Sequence, residues 1–203
     1  SKKRLIQMGE FKDTIFVIGS PDLDIMKRKN LPNIKDAKKF YGINFDNFSI
    51  MIFHPVTTNN NENKHNLKII KKLISSKKNE NFICINPNND PGSINFLKLY
   101  KKLNKYNNFI SFPSMRFEYF LAFLKKANYI IGNSSAGVRE APFYGVKCVN
   151  VGSRQNNRAK FSKLIYNSKN YSQILNSINK INKIKKSKYK DKDFGSGNSD
   201  KKL

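Results

Sequence analysis

The stretch Ile130-Ile131-Gly132-Asn133-Ser134-Ser135-Ala136-Gly137-Val138-Arg139-Glu140 decides the fold. An apolar run from Tyr129 meets small and polar residues, and a helix-compatible segment then reaches Tyr144-Gly145. That order reads as strand, tight turn, helix, with the helix expected over residues 135–144 and Pro142 bending its later turns. Unpaired N–H groups at a helix start carry partial positive charge and attract anions. Ser134 and Ser135 supply hydroxyls that can cap the helix or meet a phosphate. Ala136 and Gly137 keep the helix face low, so a ligand can lie on the backbone. Two small residues early in a helix are costly unless something packs there. A nucleotide diphosphate suits such a turn.

The same alternation extends in both directions. Short apolar strands are expected at 14–18, 48–53, 82–85, 109–112, 129–131, 146–151 and 163–166. Helices are expected at 23–28, 34–40, 64–74, 94–103, 117–126 and 171–184; Leu67, Ile70, Leu73 and Ile74 show the helical spacing best. Strands with little strict alternation are covered on both faces. The fold class is therefore α/β, a doubly wound parallel sheet. In such sheets ligands sit beyond the carboxyl ends of the strands. The polar, Gly- and Pro-rich clusters fall there: Gly19-Ser20, His54-Pro55, Pro87-Asn88, Pro113-Ser114, Gly132 to Ser135, and Gly152 to Arg154. Three regions are expected: 1–47 as a linker and the end of a preceding domain, 48–184 as a Rossmann-like domain, and 185–203 as a mobile basic tail.

The chain has 203 residues, enough for one sizeable α/β domain. It carries 39 Lys+Arg against 14 Asp+Glu, a formal charge of +25. A nucleic-acid or anionic-membrane partner is one reading of that excess. The other is a compositional bias toward Lys, Asn and Ile, which runs such as Asn59-Asn60-Asn61 favour. The lysines are spread along the expected helices, and basic charge marks a binding footprint only where it clusters. Cys84 and Cys148 each sit inside an apolar run and read as buried thiols, with no metal-binding spacing, so a reducing cytoplasm is the expected setting.

Together these segments resemble the hydrolysing UDP-N-acetylglucosamine 2-epimerases. The matching stretches are Val17-Ile18-Gly19-Ser20-Pro21-Asp22, His54-Pro55-Val56-Thr57-Thr58, Pro87-Asn88-Asn89-Asp90-Pro91-Gly92-Ser93, Arg116-Phe117-Glu118, Gly132 to Pro142, and Val151-Gly152-Ser153-Arg154-Gln155-Asn156. The resemblance runs from about Arg4 to about Asn198, and Gly132 to Arg154 is its most specific part. It implies the second, nucleotide-binding half of a two-domain glycosyltransferase-B fold. The first domain, which supplies the base at C2, is then the missing partner.

The resemblance also implies roles. Ser134 and Ser135 match serines on the diphosphate, with ordinary capping as the alternative. Glu140 matches the carboxylate on the ribose hydroxyls; its side chain leans back over Gly137 and Ala136 into the crevice. Arg154 matches an arginine facing the phosphates, where its planar fork suits oxygen ligands. Arg139 is expected to point elsewhere, and Arg158 is a surface or hinge residue. His54 matches an active-site histidine beside the diphosphate, able to donate to a phosphate oxygen as the leaving group departs. Asn88 matches a polar residue near the nucleotide. Met115 lies where main-chain groups read the uracil edge, and Phe117 packs either the base or the core.

The implied reaction removes UDP from UDP-N-acetylglucosamine by elimination and then hydrates the glycal, giving N-acetylmannosamine for sialic-acid-type sugars. No cofactor and no metal are implied. The implied partners are a UDP-sugar, the first domain and further copies of the chain; neither nucleic acid nor a membrane is expected. Three alternatives stay open: an epimerase for a related UDP-diacetamido sugar, a glycosyltransferase of the same fold, and a basic nucleic-acid-binding protein.

Overall fold

The computed structural model describes residues 2–158, 162–184 and 189–202. They form two compact units. One joins the first thirty residues, which include the helix α1 (Lys2–Gln7), to the segment from Lys192 onward; the other is Leu31–Asp191. The chain's own contacts thus divide it at different places from the sequence boundaries at 47 and 184.

The larger unit is a six-stranded sheet with every pairing parallel. Its strands are β1 (Phe48–Ile52), β2 (Asn81–Ile85), β3 (Phe109–Phe112), β4 (Ile130–Gly132), β5 (Cys148–Val151) and β6 (Ile165–Ser168). They lie in the order β3-β2-β1-β4-β5-β6. The chain moves outward one way from β1 through β3, then crosses back to β4 and continues the other way. The order reverses between β1 and β4, where Ile52 pairs with Gly132. That reversal is the place where open α/β sheets bind ligands.

Helices cover both faces. On one side α4 (Asn60–Ser76), α5 (Ser93–Leu103) and α8 (Tyr171–Lys183) bury Ile70, Leu73, Phe96, Tyr100, Ile174 and Ile178 against Met51, Phe82, Cys84, Ile131 and Val149. On the other, α6 (Phe117–Lys126) packs on β1, with the Phe123 ring edge-on to Phe48 at 5.8 Å. The neighbouring helix α3 (Ile34–Tyr41) packs on α6. Several of the many asparagines do local work. Asn33, Asn59 and Asn170 cap α3, α4 and α8 by accepting first-turn N–H groups. Exposed lysines lie on helices of both layers, among them Lys35, Lys68, Lys101, Lys126 and Lys180. No helix among the described residues is long and apolar enough to cross a membrane.

Three expectations are corrected. The helix over 135–144 is broken into a 3-10 turn, Ser135–Gly137, and a four-residue helix α7, Glu140–Phe143. Pro142 sits in the first turn of that new helix, where a missing N–H costs nothing. So short a helix sums few peptide dipoles, and in the turn before it the N–H groups of Ala136, Gly137 and Val138 already donate to Ser134 and Ser135. Residues 14–18 form no strand: a 3-10 turn ends at Thr14, and Phe16 and Val17 stay exposed with no neighbouring strand to pair with. The C-terminal tail, as far as it is described, is not loose. Asp24 of α2 (Asp22–Met26) accepts from the Ser199 N–H at 3.0 Å, from the Ser199 hydroxyl and from the Asp200 N–H at 3.2 Å. Those bonds hold the carboxyl of Asp24 below its ordinary range. The Ser20 N–H also donates to the Phe194 carbonyl at 2.8 Å. Residues 185–188 of that tail lie outside the described residues.

Candidate functional site

A cleft of about 580 Å³ opens at the carboxyl ends of β1 to β4. Each strand contributes its end or its exit loop. Ile52 comes from β1 and Asn86, Pro87 and Asn88 follow β2. Pro113, Ser114 and Met115 follow β3, with Phe117 and Phe120 from the start of α6. Ser135, Ala136 and Glu140 come from the turn and helix after β4. Of the residues nominated from sequence, Asn88, Met115, Ser135 and Glu140 line this cleft; Phe117 faces it too.

His54, Ser134 and Arg154 are not among its lining residues. Ser134 is spent as a cap: its hydroxyl oxygen accepts the Ala136 N–H at 3.3 Å. His54 is buried and joined to the cleft through Asn88, whose N–H donates to His54 Nδ1 at 3.2 Å. With Nδ1 accepting, the proton of a neutral ring sits on Nε2. The ring is neutral because burial, then the nearby Arg154 charge, lower its pKa to about 4 against a pull upward from Asp90. Arg154 Nη1 donates to the Asn133 carbonyl at 3.2 Å. Burial and the charge of Arg158 lower the pKa of Arg154, and Asp90 opposes them. Arg158 itself is exposed.

Asn133 was not nominated, and it organises the site. It is fully buried. Its Oδ1 accepts the His54 N–H at 2.7 Å and its Nδ2 donates to the His54 carbonyl at 2.8 Å. Its own carbonyl accepts from Arg154 and, at 2.7 Å, from Gln155 Nε2. The one available signal was a lone amide at the strand exit between Gly132 and Ser134. Gly132 has φ +140°, and a Cβ there would overlap the Ile52 carbonyl, so only glycine lets β4 and β1 meet at the reversal point.

One further expectation changes. Gly137 is small because of the core: a Cβ would stand 2.5 Å from Cys148 Sγ on β5. Packing against β5, not an overlying ligand, explains that glycine, while Ala136 does line the cleft. Arg139 is not among the cleft's lining residues; its Nε lies 3.9 Å from Oε1 of Glu140, which is buried at the cleft wall. Opposite, the Tyr41 hydroxyl accepts the Arg116 N–H at 2.9 Å and holds the loop that carries Met115.

The geometry is a cleft with a carboxylate at one wall, and a neutral histidine and an arginine tied to its rim. The model of the family described as UDP-N-acetylglucosamine 2-epimerase matches residues 1–203. The chain belongs to the UDP-N-acetylglucosamine 2-epimerase family. A curated member from Neisseria meningitidis serogroup B, UDP-N-acetylglucosamine 2-epimerase, is 44% identical over 178 residues, covering 86% of this chain and 46% of that one. A Campylobacter jejuni protein, GDP/UDP-N,N'-diacetylbacillosamine 2-epimerase (hydrolyzing), is 32% identical over 81% of this chain and 44% of its own. The chain thus spans about half the length of the curated relatives it matches. Among solved structures, the Methanocaldococcus jannaschii UDP-GlcNAc 2-epimerase in complex with UDP-GlcNAc and UDP superposes with a TM-score of 0.72 at 20% identity, over 98% of this chain and 56% of that one. The doubly wound unit is therefore the fold of half of a family member.

Proposed function

We propose that this chain is the UDP-holding half of a hydrolysing UDP-N-acetylglucosamine 2-epimerase. The intact protein converts UDP-N-acetylglucosamine and water to N-acetylmannosamine and UDP, by elimination followed by hydration, in the cytoplasm. The observation that carries this reading is the cleft at the reversal between β1 and β4, lined jointly by Asn88, Met115, Ser135 and Glu140.

Each residue has work in that reaction. Glu140, buried at the wall, takes the ribose hydroxyls as an acceptor-only group. The backbone beside Met115 reads the uracil edge. Ser135, at the cleft wall, meets the diphosphate through its N–H and hydroxyl. Elimination leaves growing negative charge on the departing UDP, and fixed donors aimed there lower the barrier. Arg154 supplies such a donor. So does His54, through the proton on Nε2. Its low pKa makes it a neutral hydrogen-bond donor at pH 7 and not an imidazolium that gives its proton away. The C2 base and the hydration step belong to the first domain. Ser134 acts on the diphosphate through the turn that it caps.

The Neisseria relative's higher identity favours the N-acetylglucosamine substrate over the diacetamido sugar named for the Campylobacter relative. Incubating the intact protein with UDP-N-acetylglucosamine and no acceptor tests the reading. Free N-acetylmannosamine and UDP are expected in equal amounts, and Glu140→Ala is expected to weaken UDP by about tenfold or more. The 203-residue chain alone is expected to bind UDP weakly and to release no sugar. UDP release only when a sugar acceptor is added would point to a transferase instead.

A further inference from the structure

The loop that carries Arg154 is held from outside the cleft. β5 ends at Val151, and Gly152 turns the chain at φ +76°. A side chain at Gly152 would run into Glu62 Oε1, so glycine admits the carboxylate against the backbone. Glu62 then binds the next residue with both oxygens. The Ser153 N–H donates to Oε1 at 3.0 Å and the Ser153 hydroxyl donates to Oε2 at 2.7 Å. Arg154 follows directly, and on its far side Gln155 is tied to the Asn133 carbonyl. Arg154 is thus bracketed by two anchored neighbours.

Glu62 is itself fixed. It lies in the first turn of α4, where Asn59 Oδ1 accepts its N–H at 3.0 Å and where a carboxylate is favoured. One residue on, Asn63 Oδ1 accepts the Val56 N–H at 2.7 Å and Asn63 Nδ2 donates to the Val56 carbonyl at 3.0 Å. Val56 is two residues beyond His54. The first turn of α4 therefore grips the His54 loop with one side chain and the Arg154 loop with the next. Charged hydrogen bonds of this kind are the stronger ones. Apart from Glu62, α4 has no acidic residue, although four lysines lie on it.

We infer that Glu62 is the positioning residue for Arg154, setting the direction of the guanidinium toward the diphosphate of a bound nucleotide. This rests on the UDP reading of the cleft. Glu62 touches no substrate and acts only through the 152–155 loop.

The test is a double-mutant cycle in the intact protein, with UDP and uridine titrated calorimetrically into wild type, Glu62→Ala, Arg154→Ala and the double variant. Glu62→Ala is expected to weaken UDP by about tenfold while leaving uridine unchanged. The double variant is expected to bind UDP as Arg154→Ala does, because Glu62 has nothing left to position. Glu62→Gln, whose amide oxygen can still accept the Ser153 N–H, is expected to recover most of the loss. Losses that multiply in the double variant, or an equal loss of uridine, would overturn the inference and make Glu62 a general stabiliser. UDP binding that survives intact in Glu62→Ala would overturn it as well, while the site reading stands. Wild-type protein that binds no UDP would remove the site reading, and the positioning role with it.

Discussion

Asn133 and His54 are locked together by two hydrogen bonds, side-chain amide to backbone, at 2.7 and 2.8 Å. The pair mimics one more rung between β1 and β4, placed just past the point where Ile52 and Gly132 end the ladder. Truncating Asn133 leaves both main-chain groups of His54 buried without partners. Asn133→Ala is therefore expected to destabilise the larger unit by about 2–4 kcal/mol. Asn133→Asp keeps the acceptor but sets a second oxygen of a buried carboxyl group against the His54 carbonyl, and is expected to cost at least as much. Thermal melts of the three proteins check the ranking; equal melting temperatures for wild type and Asn133→Ala would contradict it.

His54 makes stability depend on pH. Its folded pKa is about 4 and its ordinary value 6.5, so between those values the unfolded chain binds more protons than the folded one. Stability is then full above about pH 6.5 and falls as pH drops toward 4, by at most about 3 kcal/mol from this group. A His54→Asn variant lacks the titration. Its melting temperature is expected to vary less steeply from pH 6.5 to 4 than that of wild type. Parallel slopes would show that the imidazole is not the group responsible.

The sheet was legible because its strands are bounded on both sides by turn residues, and because buried parallel strands read as apolar runs. The cleft was legible for a related reason: polar clusters such as Asn88 and Ser135 sit at strand exits, and the parallel order brings those exits to one edge. What sequence did not show depends on contacts between distant segments. Gly137 is explained by Cys148, Gly152 by Glu62, and Asn133 by His54 and Arg154. None of these pairs lies within one element. The segment at 14–18 has the composition of a strand, but strand propensity without a paired neighbour makes no ladder.

Gly137 and Cys148 offer a direct check on the core explanation. Gly137→Ala places a methyl 2.5 Å from the Cys148 sulfur, closer than the two atoms can stand, so the turn or β5 must give way. Overpacking of this kind costs about 1–3 kcal/mol. Cys148→Ala removes the sulfur and leaves a small cavity. The double variant, with one methyl in and one sulfur out, is expected to be more stable than Gly137→Ala alone. Thermal melts of the single and double variants measure the coupling. If Gly137 is small for a ligand's sake instead, Gly137→Ala will melt like wild type and lose UDP affinity, and Cys148→Ala will restore nothing.

Tyr41 tests the end of the cleft proposed to hold the base. Its hydroxyl accepts the Arg116 N–H at 2.9 Å, while its ring packs edge-on against Phe112 at 5.3 Å and Phe123 at 6.1 Å. Tyr41→Phe removes the hydrogen bond and keeps the packing. Because Arg116 is exposed, its freed N–H finds water, and the global cost is expected to be about 1 kcal/mol or less. The local effect is larger in kind: the peptide between Met115 and Phe117 is no longer pinned. Amide exchange at 115–117 is expected to quicken, with uridine and UDP weakened by a similar factor, about threefold. That pattern is the reverse of the one expected for Glu62→Ala, which spares uridine. A Tyr41→Phe protein that loses UDP but not uridine would place this loop at the phosphates and not at the base.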